Sequence, residues 1–130
     1  MEQQRQGALI VLADDDMELV SILQKSLEKK GYRVQVAYDG REAMALIYEV
    51  RPDLVVLDVM MPVMNGWEVC KEIRDDPQIR STGVIMLTGI GPNLNEMTSP
   101  LYGADDYLDK PVDLNDLHER IEALLSRSTL

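Results

Sequence analysis

DLVVLDVMMPVMNG, residues 53–66, starts as a run of aliphatics with no polar face and stops on a single carboxylate, Asp58, before methionines, a proline and an Asn-Gly turn. A strand with one solvated face alternates apolar and polar residues, whereas one that is apolar throughout must be covered on both sides. The run over 53–58 is therefore expected to be an interior strand. Runs of similar character are ALIVLA at 8–13 and GVIML at 83–87, with RVQVA at 33–37 and a short DYL at 106–108 completing five strand candidates.

Between these runs the apolar period changes from a strand's to a helix's. Leu19, Ile22, Leu23, Ser26 and Leu27 fall at i, i+3, i+4, i+7 and i+8, and Leu114, Leu117, Ile121, Leu124 and Leu125 repeat the stripe near the end. Weaker stripes join Ala43, Leu46, Ile47 and Val50, then Val69, Cys70 and Ile73, and Gly31, Gly40, Pro52, Pro77 and Gly103 punctuate the chain. Strand and helix alternate throughout. Such a chain is expected to fold as an α/β domain, with a doubly wound five-stranded parallel sheet, right-handed crossovers and helices on both faces.

At 130 residues the chain suits one domain with a real core, so neither disulfides nor structural metals are needed for stability. No apolar run approaches the ~20 residues of a membrane span, and the short apolar run at 8–13 is followed by acid rather than a cleavage site. A lone Cys70 suits a reducing compartment, and the expected location is cytoplasmic. Net charge of −10 opposes direct binding to nucleic acid or an anionic membrane, leaving a protein, a cation or a phosphate donor as partner classes.

In open parallel sheets the functional crevice lies beyond the carboxyl ends of the strands. Asp14, Asp15 and Asp16 follow the first strand, Asp58 ends the third, Thr88 and Gly89 follow the fourth, and Asp109, Lys110 and Pro111 follow the fifth. Two carboxylates ~4 Å apart repel by about 4 kcal/mol at an effective dielectric near ~20, so Asp14, Asp15 and Asp58 cannot share a pocket uncompensated. Lys110 can offset one charge. The remainder calls for raised pKa values or a hard divalent cation, for which Mg²⁺ fits because it takes one or two carboxylates and accepts phosphate oxygens elsewhere. Mn²⁺ is an admissible substitute. Asp58 could then accept a phosphoryl group as a nucleophile, with Lys110, the Thr88 hydroxyl and loop N–H groups serving its oxygens, and Gly89 leaving room for it.

LADDD, LDVMMPVMNG, LTG and GADDYLDKP, in this order and separation, resemble the signature segments of response-regulator receiver domains, the phospho-acceptors of two-component signalling. The resemblance runs from about residue 8 to 125. It implies the strand order 2-1-3-4-5 of the flavodoxin-like fold, for which the chemotaxis receiver is an established example. Carried over by position, Asp14 and Asp15 match the acid pair at the metal, Asp58 the phosphorylated residue, and Met60 the residue whose backbone carbonyl joins the metal. Thr88 matches the switch hydroxyl, Tyr107 the switch aromatic, Lys110 the phosphate-binding lysine, and Pro111 the proline of a Lys-Pro bond that is usually cis in the family.

The resemblance further implies a histidine kinase or phosphotransfer protein as donor, and a protein-interaction face as the output. That face is built from the helix of the fourth crossover, the fifth strand and the last helix. The whole chain, 1–130, is expected to be a single receiver domain with no output domain, a monomer or weak dimer, that catalyses only its own phosphorylation and dephosphorylation.

Each signal alone has a plainer explanation. Acidic residues before a helix are more often N-caps than ligands, and Asp16 is read as one. A lone Asp before a turn or a Thr before a Gly is usually turn chemistry. Turn chemistry does not, however, ask for a Thr and a Lys at the tips of successive strands. His118 is read as a solvated helix residue, since no second ligand stands four residues away, and Met60, Met61 and Met64 as adaptable packing.

Other functions fare worse. A phosphatase of the haloacid-dehalogenase type needs a second Asp two residues after the nucleophile, where this chain has Met60. A flavodoxin-like cofactor loop would repel phosphate if it read Asp14-Asp15-Asp16. A calcium loop of the EF-hand type needs glycine where Leu19 stands. A receiver reduced to a binding surface would not need its site residues. The departure from the family is GIGPNLNEMTSP at 89–100, whose two prolines and missing basic residues predict a short or mobile fourth-crossover helix and put the usual symmetric dimer in doubt. Met60 and Ile90, apolar beside the site, predict slow self-dephosphorylation.

Overall fold

A computed structural model describes residues 7–89 and 103–128. The five strands are β1 (Leu9–Ala13), β2 (Arg33–Ala37), β3 (Leu54–Asp58), β4 (Gly83–Thr88) and β5 (Asp106–Asp109). The helices in the described residues are α1 (Met17–Lys29), α2 (Gly40–Val50), α3 (Gly66–Asp75) and, at the C-terminal end, α4 (Leu114–Ser128). All strands pair in parallel in the order β2-β1-β3-β4-β5. The predicted fold and strand order stand. Residues 90–102 of the fourth crossover, where the short or mobile helix is expected and where Ile90 stands, lie outside the described residues.

Side-chain alternation along the three inner strands sorts the core into two layers. Val11, Ala13, Val55, Leu57, Val84 and Met86 face one side, where Ala43, Ile47, Val69, Cys70 and Ile73 of α2 and α3 cover them. Ile10, Leu12, Leu54, Val56, Ile85 and Leu87 face the other and meet Val20, Leu23 and Leu27 of α1 with Leu117, Ile121 and Leu125 of α4. Every residue of β3 is buried, as its unbroken apolar run requires. At roughly 1.5–3 kcal/mol for each large aliphatic taken out of water, these layers are the main favourable contribution to folding.

Local chemistry sets the element ends. Asp16 caps α1, its carboxylate accepting from the N–H groups of Glu18 and Leu19. The same helix closes with a Schellman arrangement in which Gly31, at φ 97°, donates to Glu28 and Tyr32 donates to Leu27. Asn65 and Glu68 form a reciprocal capping box on α3. Asp113 begins α4, accepting from the N–H of Asp116 at 3.0 Å.

Two readings of single residues need correction. His118 is only partly solvated: its Nε2 lies 2.8 Å from Ser26 Oγ, joining α4 to α1, while its Nδ1 is buried without a partner. Burial and the nearby Lys30 charge hold its pKa below the ordinary value, against the pull of Glu122. Met60 is not packing either, since its side chain is 65% exposed, whereas Met61 is buried and Met64 packs on the α2–α3 layer.

Candidate functional site

Strand register brings the acidic residues together. Ala13 pairs with Leu57, so Asp14 and Asp58, each one residue further on, stand side by side at the carboxyl end of the sheet. Thr88 pairs with Asp109, and the Lys110 N–H donates to the Thr88 carbonyl at 2.8 Å, which fixes Lys110 one step beyond the end of β4. β4 extends one residue past the apolar run read from sequence and holds Thr88 as its last residue, fully buried.

The site is charged and mostly dry. Asp14 is 0% exposed and Asp58 4%, while Asp15 lies open to solvent. Lys110 Nζ sits 2.9 Å from Asp14 Oδ2 and 3.2 Å from Asp58 Oδ1. The other oxygen of Asp14 accepts from the Asp16 N–H at 2.9 Å, but Oδ2 has no donor in hydrogen-bond geometry, so it meets Lys110 as a charge contact only. Burial, then the neighbouring charge of Asp14, raises the Asp58 pKa, and Lys110 pulls it back. For Lys110 burial works against the charged form, yet the close carboxylates of Asp14 and Asp58 leave its pKa raised.

One ammonium cannot neutralise three carboxylates. Asp14, Asp15 and Asp58 each present an oxygen such that all three oxygens lie within 4.8 Å of one another. An all-oxygen donor set with one exposed member and a buried, donorless oxygen fits a hard cation that keeps part of its water.

The loop 59–65 leaves Asp58 and returns to α3. It is closed at its base by the Gly66 N–H donating to the Val59 carbonyl at 2.9 Å, and Val59 donates to Leu87 on β4 at 3.0 Å. At its tip the Met64 N–H donates to the Pro62 carbonyl at 2.8 Å around Val63, whose φ is 72°. That is a γ-turn of the rare positive-φ form, here on an exposed β-branched residue.

On the far side, Tyr107 lies on β5 against the α2–α3 layer with its hydroxyl buried and unpartnered. The Lys110–Pro111 bond is cis. The segment entering β5 is held by Arg74, whose guanidinium donates to the carbonyls of Gly103, Arg80 and Thr82 and pairs with Asp105 at 2.9 Å. Sequence reading missed Arg74, because its partners come from two other segments, 80–82 and 103–105, with no common spacing. It also missed Arg120, which spans Asp106 on β5 and Asp116 on α4.

Comparison with known proteins agrees with this fold. The response regulator receiver domain family matches residues 10–122. The transcriptional regulatory protein CpxR of Klebsiella pneumoniae is 47% identical over 119 residues, which are 92% of this chain and 50% of that protein. The chain thus spans about half the length of this curated relative. Among solved structures, the Francisella response regulator 1452 receiver domain is similar at 33% identity and TM-score 0.87, covering 94% of this chain and 99% of that one. The Vibrio cholerae chemotaxis protein CheY4 matches at 31% identity and TM-score 0.85, covering 91% and 98%.

Proposed function

This chain belongs to the response-regulator receiver domain family, and from that premise we propose that Asp58 accepts a phosphoryl group and that the modification switches a protein-interaction face. The observation that carries the reading is the meeting of Asp14, Asp15, Asp58 and Lys110 at one end of the sheet, two of the carboxylates buried. A purely structural site would not gather three carboxylates around one ammonium, because the repulsion and desolvation oppose folding.

Asp14, Asp15 and Asp58, with the Met60 carbonyl, would hold Mg²⁺ or Mn²⁺, which when bound offsets carboxylate charge and takes a phosphate oxygen. An Asp58 carboxylate oxygen bonds to phosphorus as the donor's bond breaks, either P–N of a phosphohistidine or P–O of a small acyl phosphate. The electron pair leaves with the donor, as an imidazole nitrogen that takes a proton or as the carboxylate of the acyl phosphate. Lys110, already shared between Asp14 and Asp58, pairs with one new oxygen. The Thr88 hydroxyl, one strand over from Asp58, serves another. Catalysis here is positioning and charge compensation, and nothing but the chain's own phosphorylation and hydrolysis follows.

Thr88 drawn toward the phosphoryl oxygens leaves space for Tyr107, and the face that includes β5 and α4 changes population. The donor is a histidine kinase or phosphotransfer protein of the cytoplasm, and the output is a segment or protein that reads this face. The chain itself serves as one receiver domain, as monomer or weak dimer. No helix among the described residues is long and apolar enough to cross a membrane.

Intact-protein mass after incubation with acetyl phosphate, with and without Mg²⁺, tests the reading. One added phosphoryl group is expected only with Mg²⁺ and not in Asp58→Asn. Absence of any gain, together with no binding of beryllofluoride, would sink it. Thr88→Ala separates the switch from the chemistry: it is expected to keep phosphorylation and lose the phosphorylation-dependent change at Tyr107, read by its nuclear magnetic resonance signals.

A further inference from the structure

We propose that Gly40, on α2 and outside the acidic cluster, is a positioning residue for the metal-binding loop, holding the backbone of residues 59–65 where the Met60 carbonyl can reach the cation. This rests on the reading of the acidic cluster as a Mg²⁺ site.

Gly40 is the first residue of α2 and is buried. Its N–H points to the Pro62 carbonyl at 3.5 Å. A Cβ placed on it would stand 1.8 Å from the Met64 carbonyl oxygen, 2.6 Å from the Met64 carbonyl carbon and 2.7 Å from the Met64 Cβ. Two of these three are backbone atoms, which cannot swing aside as the end of a side chain would. The φ of Gly40 lies outside the left-handed region, so the backbone conformation does not require glycine. Only the space does. By intrinsic propensity alanine at this helix position would be favoured by up to about 1 kcal/mol, so any loss on substitution comes from the contact.

Neither partner in this contact is free to retreat. The α2 N-terminus is fixed by a reciprocal pair, the Glu42 N–H donating to Asp39 at 2.7 Å and the Tyr38 N–H to Glu42 at 2.6 Å. The loop is pinned at its base, where the Gly66 N–H meets the Val59 carbonyl, and a Cβ on Gly66 would lie 2.4 Å from the Asp58 carbonyl oxygen. Between those fixed points the loop also carries the γ-turn at Val63. Extra bulk at position 40 therefore has to move residues 62–64, and the displacement passes along a short, closed loop to Met60. Mg²⁺ needs near-ideal octahedral ligands at roughly 2.0–2.1 Å, whereas Ca²⁺ accepts irregular ligands at roughly 2.3–2.6 Å. Misplacing one carbonyl should thus penalise Mg²⁺ selectively.

Calorimetric titration of wild type, Gly40→Ala and Gly83→Ala with Mg²⁺ and with Ca²⁺ tests this, with circular dichroism to follow folding. Gly83→Ala is the control, since a Cβ there meets nothing nearer than Leu54 Cδ1 at 3.4 Å. The expected result is a Mg²⁺ affinity about 10-fold or more lower in Gly40→Ala, a smaller loss for Ca²⁺, and no change in Gly83→Ala. Equal Mg²⁺ affinity in wild type and Gly40→Ala overturns the proposal, as does an equal loss for both ions, which would mean general loosening. Should Gly40→Ala fail to fold, Mg²⁺ titration of the ¹⁵N-labelled wild type decides. The Gly40 and Met64 amide signals are expected to move with the same midpoint as those of Asp14 and Asp58, and silence at Gly40 overturns the proposal. A folded wild type that binds no Mg²⁺ overturns the metal-site reading itself, a failure distinct from one confined to Gly40.

Discussion

Lys110 Nζ lies 2.9 Å from Asp14 Oδ2, a buried carboxylate oxygen with no hydrogen-bond donor, so an anion at the end of β1 depends on an ammonium delivered past the end of β5. The two residues are far apart in the chain and share nothing in local sequence. Removing the cation leaves Asp14 and Asp58 facing each other across a dry site. Lys110→Met is expected to lower stability by about 1–3 kcal/mol, less than a fully buried pair would cost because the ammonium is partly solvated. Mg²⁺ should restore part of the loss by binding only the native state. Urea unfolding with and without Mg²⁺ measures both effects, and equal midpoints for variant and wild type would contradict them.

The opposite sign is expected at Asp58. Burial and the Asp14 charge raise its pKa, so in the metal-free protein at neutral pH its charged form opposes folding. Asp58→Asn keeps the shape and removes that charge, and should stabilise the metal-free protein by about 1–2 kcal/mol at pH 7. The native state holds its proton more tightly than the unfolded one. Above the raised native pKa the wild type carries the full penalty, which fades as pH falls through that value towards the unfolded one. The gap between the two proteins should therefore be widest at neutral pH and close on acidification. A gap that widens instead would mean that burial and Asp14 do not govern this carboxylate.

Val63 offers a test of strain. It is 68% exposed, and its φ of 72° suits glycine rather than a β-branched side chain. Strain of this kind costs about 1–3 kcal/mol, against about 0.5–1 kcal/mol for the extra freedom glycine brings to the unfolded chain. Val63→Gly is expected to raise stability by about 1 kcal/mol in thermal or urea unfolding. A loss of stability would show that the valine makes contacts outweighing its backbone strain.

Cys70, buried under the α2–α3 layer, has its pKa raised from 9.0 to about 11, by burial first, with Arg74 lowering it and Asp105 raising it slightly. Iodoacetamide should modify it slowly in the native protein and rapidly in denaturant. Because the native state retains the thiol proton more tightly, this group's contribution is complete below pH ~9 and is lost as pH rises towards ~11, amounting to roughly 2–3 kcal/mol. Cys70→Ala should show a flatter stability profile across that window. Parallel profiles would show that thiol ionisation does not contribute.

The strands and three of the inter-strand crossovers were legible because a sheet buried on both faces needs unbroken apolar runs and its covering helices need apolar stripes. Both are periodicities of the chain itself. The acidic residues after β1 and at the end of β3 could be singled out from their places at strand ends, and the motif resemblance assigned roles to Met60 and Tyr107 that spacing could not. His118 was misread because nothing near it in sequence announces Ser26, on the opposite helix. Met60 was misread as packing because an apolar letter carries no sign of which way a loop turns.

The sequence by itself determined the alternation of elements, the two-sided core and which residue types stand at the strand tips, since each follows from local period and composition. Tertiary structure alone decided that Lys110 reaches both Asp14 and Asp58, that Arg74 ties three segments together, and that Gly40 abuts the Met64 carbonyl. Those relationships depend on strand register and on distances of a few ångströms between segments remote in the chain, where packing geometry, rather than any residue's own preference, sets what can touch.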